Sequence, residues 1–149
     1  MTDAAVGAAA REIRALLARY GERMDAGDWQ GVGELFARAT IRNSRAPDVV
    51  VAQGAAALTA LLQRTIRLYD GLPLEQHVTA NSIIDVDLDA GFATARSAYV
   101  VFMAAPGFPL QATGAGRYHD RFAHAGDGWH FTERLFIQEL HGNLSAHTA

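Results

Sequence analysis

No cysteine occurs in the 149 residues of this chain. That absence excludes disulfides, thiolate nucleophiles and iron–sulfur ligation, and it fits a cytoplasmic protein. Basic residues are outnumbered, 13 against 16 acidic ones, for a net charge of −3. Phosphate binding needs a basic surface, so nucleic acid is not expected as a partner. No run is apolar enough to cross a membrane, so no membrane association is expected either. The opening MTDAAVGAAAREIR lacks the basic start and apolar stretch of a secretory signal. A phosphate loop, a G-x-S-x-G elbow and an H-E-x-x-H zinc motif are all missing. The stretch DVDLDAG imitates a calcium loop, but its glycine falls one place late and Arg96 stands where a bidentate glutamate is needed. His119, His124 and His130 share one expected hairpin without tight ligand spacing, so no metal site is assigned.

What is present is ordinary for a globular chain: 50% hydrophobic and 19% charged residues, in a length that suits one domain with a real core. Helical periodicity covers about residues 8–26, where Ile13, Leu16, Leu17, Tyr20 and Met24 form one apolar stripe. A second helix is expected over 29–37 and a third over 55–69, with short strands near 40–44 and 48–52 between them. The second half reads as four long strands, near 76–87, 92–104, 110–123 and 128–140. GDG at 126–128 has hairpin chemistry, and PGFP at 106–109 a stiffer loop. Gly114 and Gly116, in phase on one strand, mark a bend or close packing. Helices followed by consecutive antiparallel strands mean α+β, with the helices on one face of a curved sheet. The strands are apolar on both faces, so the other face is expected to meet a second copy, as a dimer or trimer. Residues 141–149, with His141 and His147, read as a mobile tail.

One segment resists a purely structural reading. In YGERMDAGDW, Gly27 sits where a helix ends and Asp28 where the next is capped. Asp25 has no such role, and its charge meets the negative end of the helix dipole. Its flank of the helix is small and mostly uncharged, so the carboxylate could face an interior. Further on, His77, Thr79 and Asn81 share one face of a strand at period two. Arg134 lies with Thr132, Phe136 and Gln138 on one face of the last strand, and a guanidinium in such company often binds an acid or anion. Tyr20 points toward the core, where a phenol normally seeks a partner.

From RYGERMDAGDWQGVGELFA through QHVTANSIIDVD to GRYHDRFAHAGDGWHFTER, the chain resembles the SnoaL-like branch of the NTF2-like superfamily, over about residues 8–140. The resemblance implies a conical α+β barrel: a strongly curved mixed sheet wrapped around three helices, with a deep pocket at the open end. It specifies the fold well and the reaction poorly, since the superfamily holds dehydratases, isomerases, cyclases, epoxide hydrolases, dioxygenase small subunits and carriers without catalysis. The functional pattern is most similar to that of bile-acid dehydratase and hexachlorocyclohexane dehydrochlorinase; scytalone dehydratase belongs to the same group. In both of the first two, an aspartate near the end of the first helix pairs with a histidine on the first long strand. Asp25 and His77 match those positions. Tyr20 matches the tyrosine of the dehydratase and Arg134 the arginine of the dehydrochlorinase. Where the dehydratase has its own arginine this chain has Gln138, so it is a mosaic of the two.

The resemblance gives Asp25 a purpose. An aspartate that accepts one ring N–H of an imidazole fixes its tautomer and makes the other nitrogen a better base. The expected activity is a cofactor-independent lyase or isomerase acting on a small, largely apolar, cyclic compound. His77 would abstract the proton, while Tyr20 and Arg134 would stabilise a departing oxygen or enolate. Leu17, Met24, Phe36, Leu61, Asn81, Tyr99, Phe102, Phe136 and Gln138 are the expected pocket residues. Two other classes remain open. A binding protein of the same fold would keep Asp25 and His77 too far apart to hydrogen-bond. A structural subunit like the small subunit of a ring-hydroxylating dioxygenase would associate with a larger iron-containing chain; such subunits are usually somewhat longer.

Overall fold

The computed structural model describes residues 2–149. Three helices, α1 (Asp3–Asp25), α2 (Trp29–Leu35) and α3 (Gly54–Thr65), accompany six strands. The strands are β1 (Thr40–Asn43), β2 (Val50–Gln53), β3 (Glu75–Asp87), β4 (Phe92–Ala105), β5 (Phe108–Ala125) and β6 (Gly128–His141). They form one sheet in the order β2-β1-β6-β5-β4-β3, antiparallel except where β1 lies parallel to β6. The sheet is mixed and curved but does not close, and β2 and β3 remain its two edges. No helix among the described residues is long and apolar enough to cross a membrane.

Helix α1 starts five residues before the expected position. Alanine-rich sequence favours helix, Thr2 caps the N-terminus by accepting the Ala5 N–H, and Asp3 suits the positive end of the dipole. At the other end Gly27 takes φ 69°, a left-handed conformation that glycine adopts without steric cost. Asp28 then caps α2, its Oδ1 accepting the Gly31 N–H at 2.9 Å. Ile13, Leu16, Leu17, Tyr20 and Met24 are all buried, so the apolar stripe of α1 is its inner face. Glu12 accepts the Trp129 N–H of the β5–β6 hairpin, and Asp25 reaches β3, so α1 is tied to the sheet at its middle and at its C-terminal end.

Bulges bend the sheet and also switch which side chains point inward. Between Ala80 and Ile83 the β3–β4 register slips, and Asn81 sits there at φ 54°. The inward side of β3 therefore passes from Glu75, His77 and Thr79 to Ser82, Ile84 and Val86. A second slip, between Arg121 and Phe122 on β5, places the extra residue on β6 near Thr132. This is why Trp129, Phe131 and Arg134 are all buried although their spacing is not even. A third slip adjoins Gly116, where a Cβ would lie 2.0 Å from the Ile137 carbonyl oxygen. The close packing expected of that glycine is thus a contact with the β6 backbone.

Two expectations fail at the C-terminal end. Helix α3 stops at Thr65 rather than near 69, because residues 66–69 pair with other chain segments instead. Ile66 bridges Thr148, the Arg67 N–H donates to the His147 carbonyl at 2.9 Å, and Tyr69 bridges Leu72. The tail is accordingly packed rather than loose. His141 still belongs to β6, and Ala146 is buried against Met103 and Phe108 while its carbonyl accepts the Tyr69 hydroxyl at 2.7 Å. On the outer face of the sheet Val78 is 42% and Phe102 37% exposed. Replacing Asp28 by alanine should cost about 1 kcal/mol through loss of the α2 cap, read as a lower urea midpoint at unchanged slope.

Candidate functional site

Between the helices and the concave side of the sheet lies a cavity of about 280 Å³. Its walls are apolar for the most part, with Met24, Phe36, Leu58, Leu61 and Phe136 among them. Polar groups enter from several elements: Tyr20, Asn43, Glu75, His77, Tyr99, Thr113, Tyr118, Gln138, His141 and His147. A small apolar hollow with a few convergent polar groups is the usual form of a ligand site.

Asp25 and His77 meet at its edge. Asp25 Oδ1 lies 2.8 Å from His77 Nδ1 and also accepts the His77 backbone N–H at 2.9 Å. β3 is an edge strand, so this N–H has no neighbouring strand to pair with, and the carboxylate takes its place. The imidazole is nearly sealed, 6% exposed, whereas the aspartate keeps 27%. Gly21 of α1 packs directly against this residue: a Cβ there would lie 3.5 Å from His77, in ordinary van der Waals contact. The Tyr20 ring meets the imidazole edge-on, with centroids 5.9 Å apart.

Arg134 is placed differently from expectation. It is fully buried and does not line the cavity. Its Nε and Nη2 donate to the two oxygens of Asp120 at 2.7 and 2.9 Å, a two-pronged pairing that leaves only Nη1 without a partner among the described residues. The guanidinium carbon sits 3.8 Å from the centroid of Tyr118 and 4.3 Å from that of Tyr20, so it underlies rings that do face the cavity. Burial works against its charge, but the Asp120 carboxylate more than offsets this and raises its pKa. Complete burial pushes the Asp120 carboxyl upward, opposed by the same guanidinium. Burial also pushes Tyr20 up to about 12, with the Arg134 charge pulling the other way, and drives Tyr118 well above its ordinary value.

Of the expected pocket residues, Tyr20, Met24, Phe36, Leu61, His77, Tyr99, Phe136 and Gln138 line the cavity. Leu17, Asn81 and Phe102 do not. Leu17 faces a separate groove between α1 and β3. Asn81 is exposed at the β3 bulge, which ends the period-two run begun by His77. Phe102 lies on the outer face, because β4 keeps strict alternation with Tyr99, Val101 and Met103 inward. Sequence reading missed Glu75, Asn43, Thr113, Tyr118, Asp120 and His147. For Asp120 a signal existed: Tyr118, Asp120 and Phe122 alternate, and a carboxylate on an apolar strand face requires a cation. Elsewhere, His130 is held below its ordinary pKa by burial and by Arg38, and among the described residues no three potential metal ligands cluster.

Comparison with solved structures places this architecture among NTF2-like folds. An NTF2-like protein with a cystatin-like fold from Novosphingobium aromaticivorans is 25% identical, with a TM-score of 0.73 over 95% of this chain and 88% of that one. A candidate scytalone dehydratase from the same organism is 20% identical, with a TM-score of 0.72 over 94% and 89% of the two chains. The beta subunit of a candidate aromatic-ring-hydroxylating dioxygenase, again from N. aromaticivorans, is 20% identical with a TM-score of 0.71 over 98% and 99%. The last two are likenesses of fold, and the coverage of the third shows that length does not separate such subunits from this chain. No curated protein matches in sequence. Residues 7–135 match the SnoaL-like domain, and the chain belongs to that family.

Two measurements bear on the buried pair and its aromatic surround. Asp120→Asn leaves a sealed guanidinium uncompensated and should cost about 3–5 kcal/mol in chemical denaturation. Alkaline titration should also weaken the fold. Tyr20 has a raised folded pKa, so its contribution is complete below the unfolded value near 10 and is lost as pH rises toward about 12. Tyr20→Phe should flatten that part of the stability curve.

Proposed function

We propose that the protein is a lyase or isomerase that removes a proton from a small, largely apolar, cyclic substrate with the Asp25–His77 pair. The observation that carries this reading is the 2.8 Å contact of Asp25 Oδ1 with His77 Nδ1 at the wall of an apolar cavity. An Asp25 carboxylate holding Nδ1–H leaves Nε2 as the nitrogen with a free lone pair for a bound ligand. General base action by such a group is worth about 10²–10⁴ in rate.

The remaining polar groups divide the work. Electron density released by C–H cleavage moves onto an oxygen of the substrate, where the Tyr20 and Tyr118 phenols can donate hydrogen bonds. Their raised pKa values keep them protonated at neutral pH. Arg134 acts through these rings rather than on the substrate, since its guanidinium is sealed beneath them. Proton abstraction of this kind requires no redox group, and no cofactor is part of the proposal. A pure binding protein of this fold has no need for a carboxylate fixed on the buried imidazole, so the contact favours catalysis over carriage. Self-association belongs to the same reading, supported by Val78 and Phe102 on the outer face of the sheet. Sedimentation should then give at least twice the 16.0 kDa of one chain.

Replacing His77 by alanine should lower turnover by about 10²–10⁴ while the circular dichroism spectrum stays near wild type. Loss of the ring's bond to Asp25 should lower the melting temperature without abolishing the folding transition. An alanine variant that works as well as the parent would remove His77 from the role of base.

A further inference from the structure

A second acid–imidazole contact occurs in the same cavity. Glu75 precedes His77 by two residues on β3, so both face inward from one strand with backbones about 7 Å apart. The Glu75 side chain is 1% exposed, and its Oε1 is bonded by Nδ1 of His147 from the C-terminal tail. The tail is fastened on both sides of that histidine. Ala146 is buried and its carbonyl accepts the Tyr69 hydroxyl, the His147 carbonyl accepts the Arg67 N–H, and the Ala149 N–H donates to Thr65 at 3.0 Å. His147 nevertheless keeps 27% of its side chain exposed and lines the cavity. In both pairs the acid holds Nδ1, which leaves Nε2 for whatever the cavity contains.

Elimination needs such a group. Proton abstraction alone leaves a departing hydroxide, a poor leaving group unless it is protonated as it goes. The phenols of Tyr20 and Tyr118 hold their protons too tightly to surrender them near neutral pH, whereas an imidazole titrates in that range. Resting on the assignment of His77 as base, we propose that His147 is a second catalytic residue, the proton donor to the leaving group, positioned by Glu75. The substrate class is then a cyclic β-hydroxy ketone or an equivalent carbon acid with a β-hydroxyl.

The step balances within the site. His77 Nε2 takes the proton from the carbon beside the carbonyl, and the C–H electron pair becomes the enolate. Collapse of the enolate forms the C=C bond as the C–O bond to the β-hydroxyl breaks, and the departing oxygen takes the Nε2 proton of His147. Water leaves, His77 ends protonated and His147 neutral, and solvent returns the proton from one to the other.

The test compares two probes, 3-hydroxycyclohexanone, whose leaving group needs a proton, and 3-acetoxycyclohexanone, whose acetate leaves as an anion. Both give cyclohexenone, followed by its ultraviolet absorbance. His147→Gln keeps an amide N–H for Glu75 and so spares the tail attachment. It should lose about 100-fold or more in kcat on the hydroxy ketone and stay within about threefold of wild type on the acetate. His77→Ala should lose both. Equal losses by His147→Gln on the two probes would mean a structural tail and overturn the donor role, and so would no loss on either. If wild type eliminates neither probe, or His77→Ala matches wild type, the base assignment fails and takes this inference with it.

Discussion

One carboxylate oxygen, Oδ1 of Asp25, takes two hydrogen bonds from a single residue 52 positions further along the chain. The fold around the cavity is built on that contact. An acid in the last turn of a helix is unfavourable by roughly 0.3–1 kcal/mol, because it meets the negative end of the dipole. Hydrogen bonds to a charged acceptor return about 1.5–3 kcal/mol each, so the two bonds outweigh the penalty. The same contact closes the end of α1 onto an edge strand that would otherwise expose an unpaired N–H, and it fixes the imidazole against the cavity wall.

Beneath the cavity a different device supplies rigidity. Arg134 and Asp120 bring opposite charges into a fully buried space, and the five aromatic rings of Tyr20, Phe36, Tyr118, Phe131 and Phe136 surround the guanidinium. Such a pair is a specifying element more than a stabilising one, since its desolvation cost rivals its attraction. Because Tyr20 and Tyr118 are shared between this cluster and the cavity, the orientation of the phenols is set from below. The Tyr99 ring, stacked on Tyr118 with centroids 4.5 Å apart, extends the same order along the cavity wall.

How far this was legible in the sequence depends on which physical rule governs each residue. The apolar stripe of α1, the Asp28 cap and the GDG turn follow from local chemistry, and they fall where the pattern puts them. Asp25 stood out by its misfit at a helix end and His77 by its place on a strand face; family likeness paired them, and the distance between them comes only from the structure. Side-chain direction on the long strands was less readable. A bulge leaves no mark in hydrophobic periodicity until the partner strand is known, so Asn81 was placed inward when it sits at the slip itself. Phe102 was misplaced for the opposite reason, since β4 keeps its alternation and the extra residue lies on β5. Arg134 was expected on one face with Thr132, Phe136 and Gln138; it is buried, but Thr132 falls at the slip. The claim of Asp120 on the guanidinium rests on a register between two strands that no single segment encodes. His147 was the least readable. A short polar tail carries no periodicity, and its position follows from helix α3 ending early and freeing residues 66–69 to pair with it.

The most direct measurement is the protonation of the His77 ring by nitrogen-15 NMR on protein labelled at its imidazoles. With Asp25 holding one nitrogen, the neutral ring should carry its proton on Nδ1, leave Nε2 bare, and lose that preference in Asp25→Ala. A proton found on Nε2, or a ring indifferent to the loss of Asp25, would contradict the base assignment.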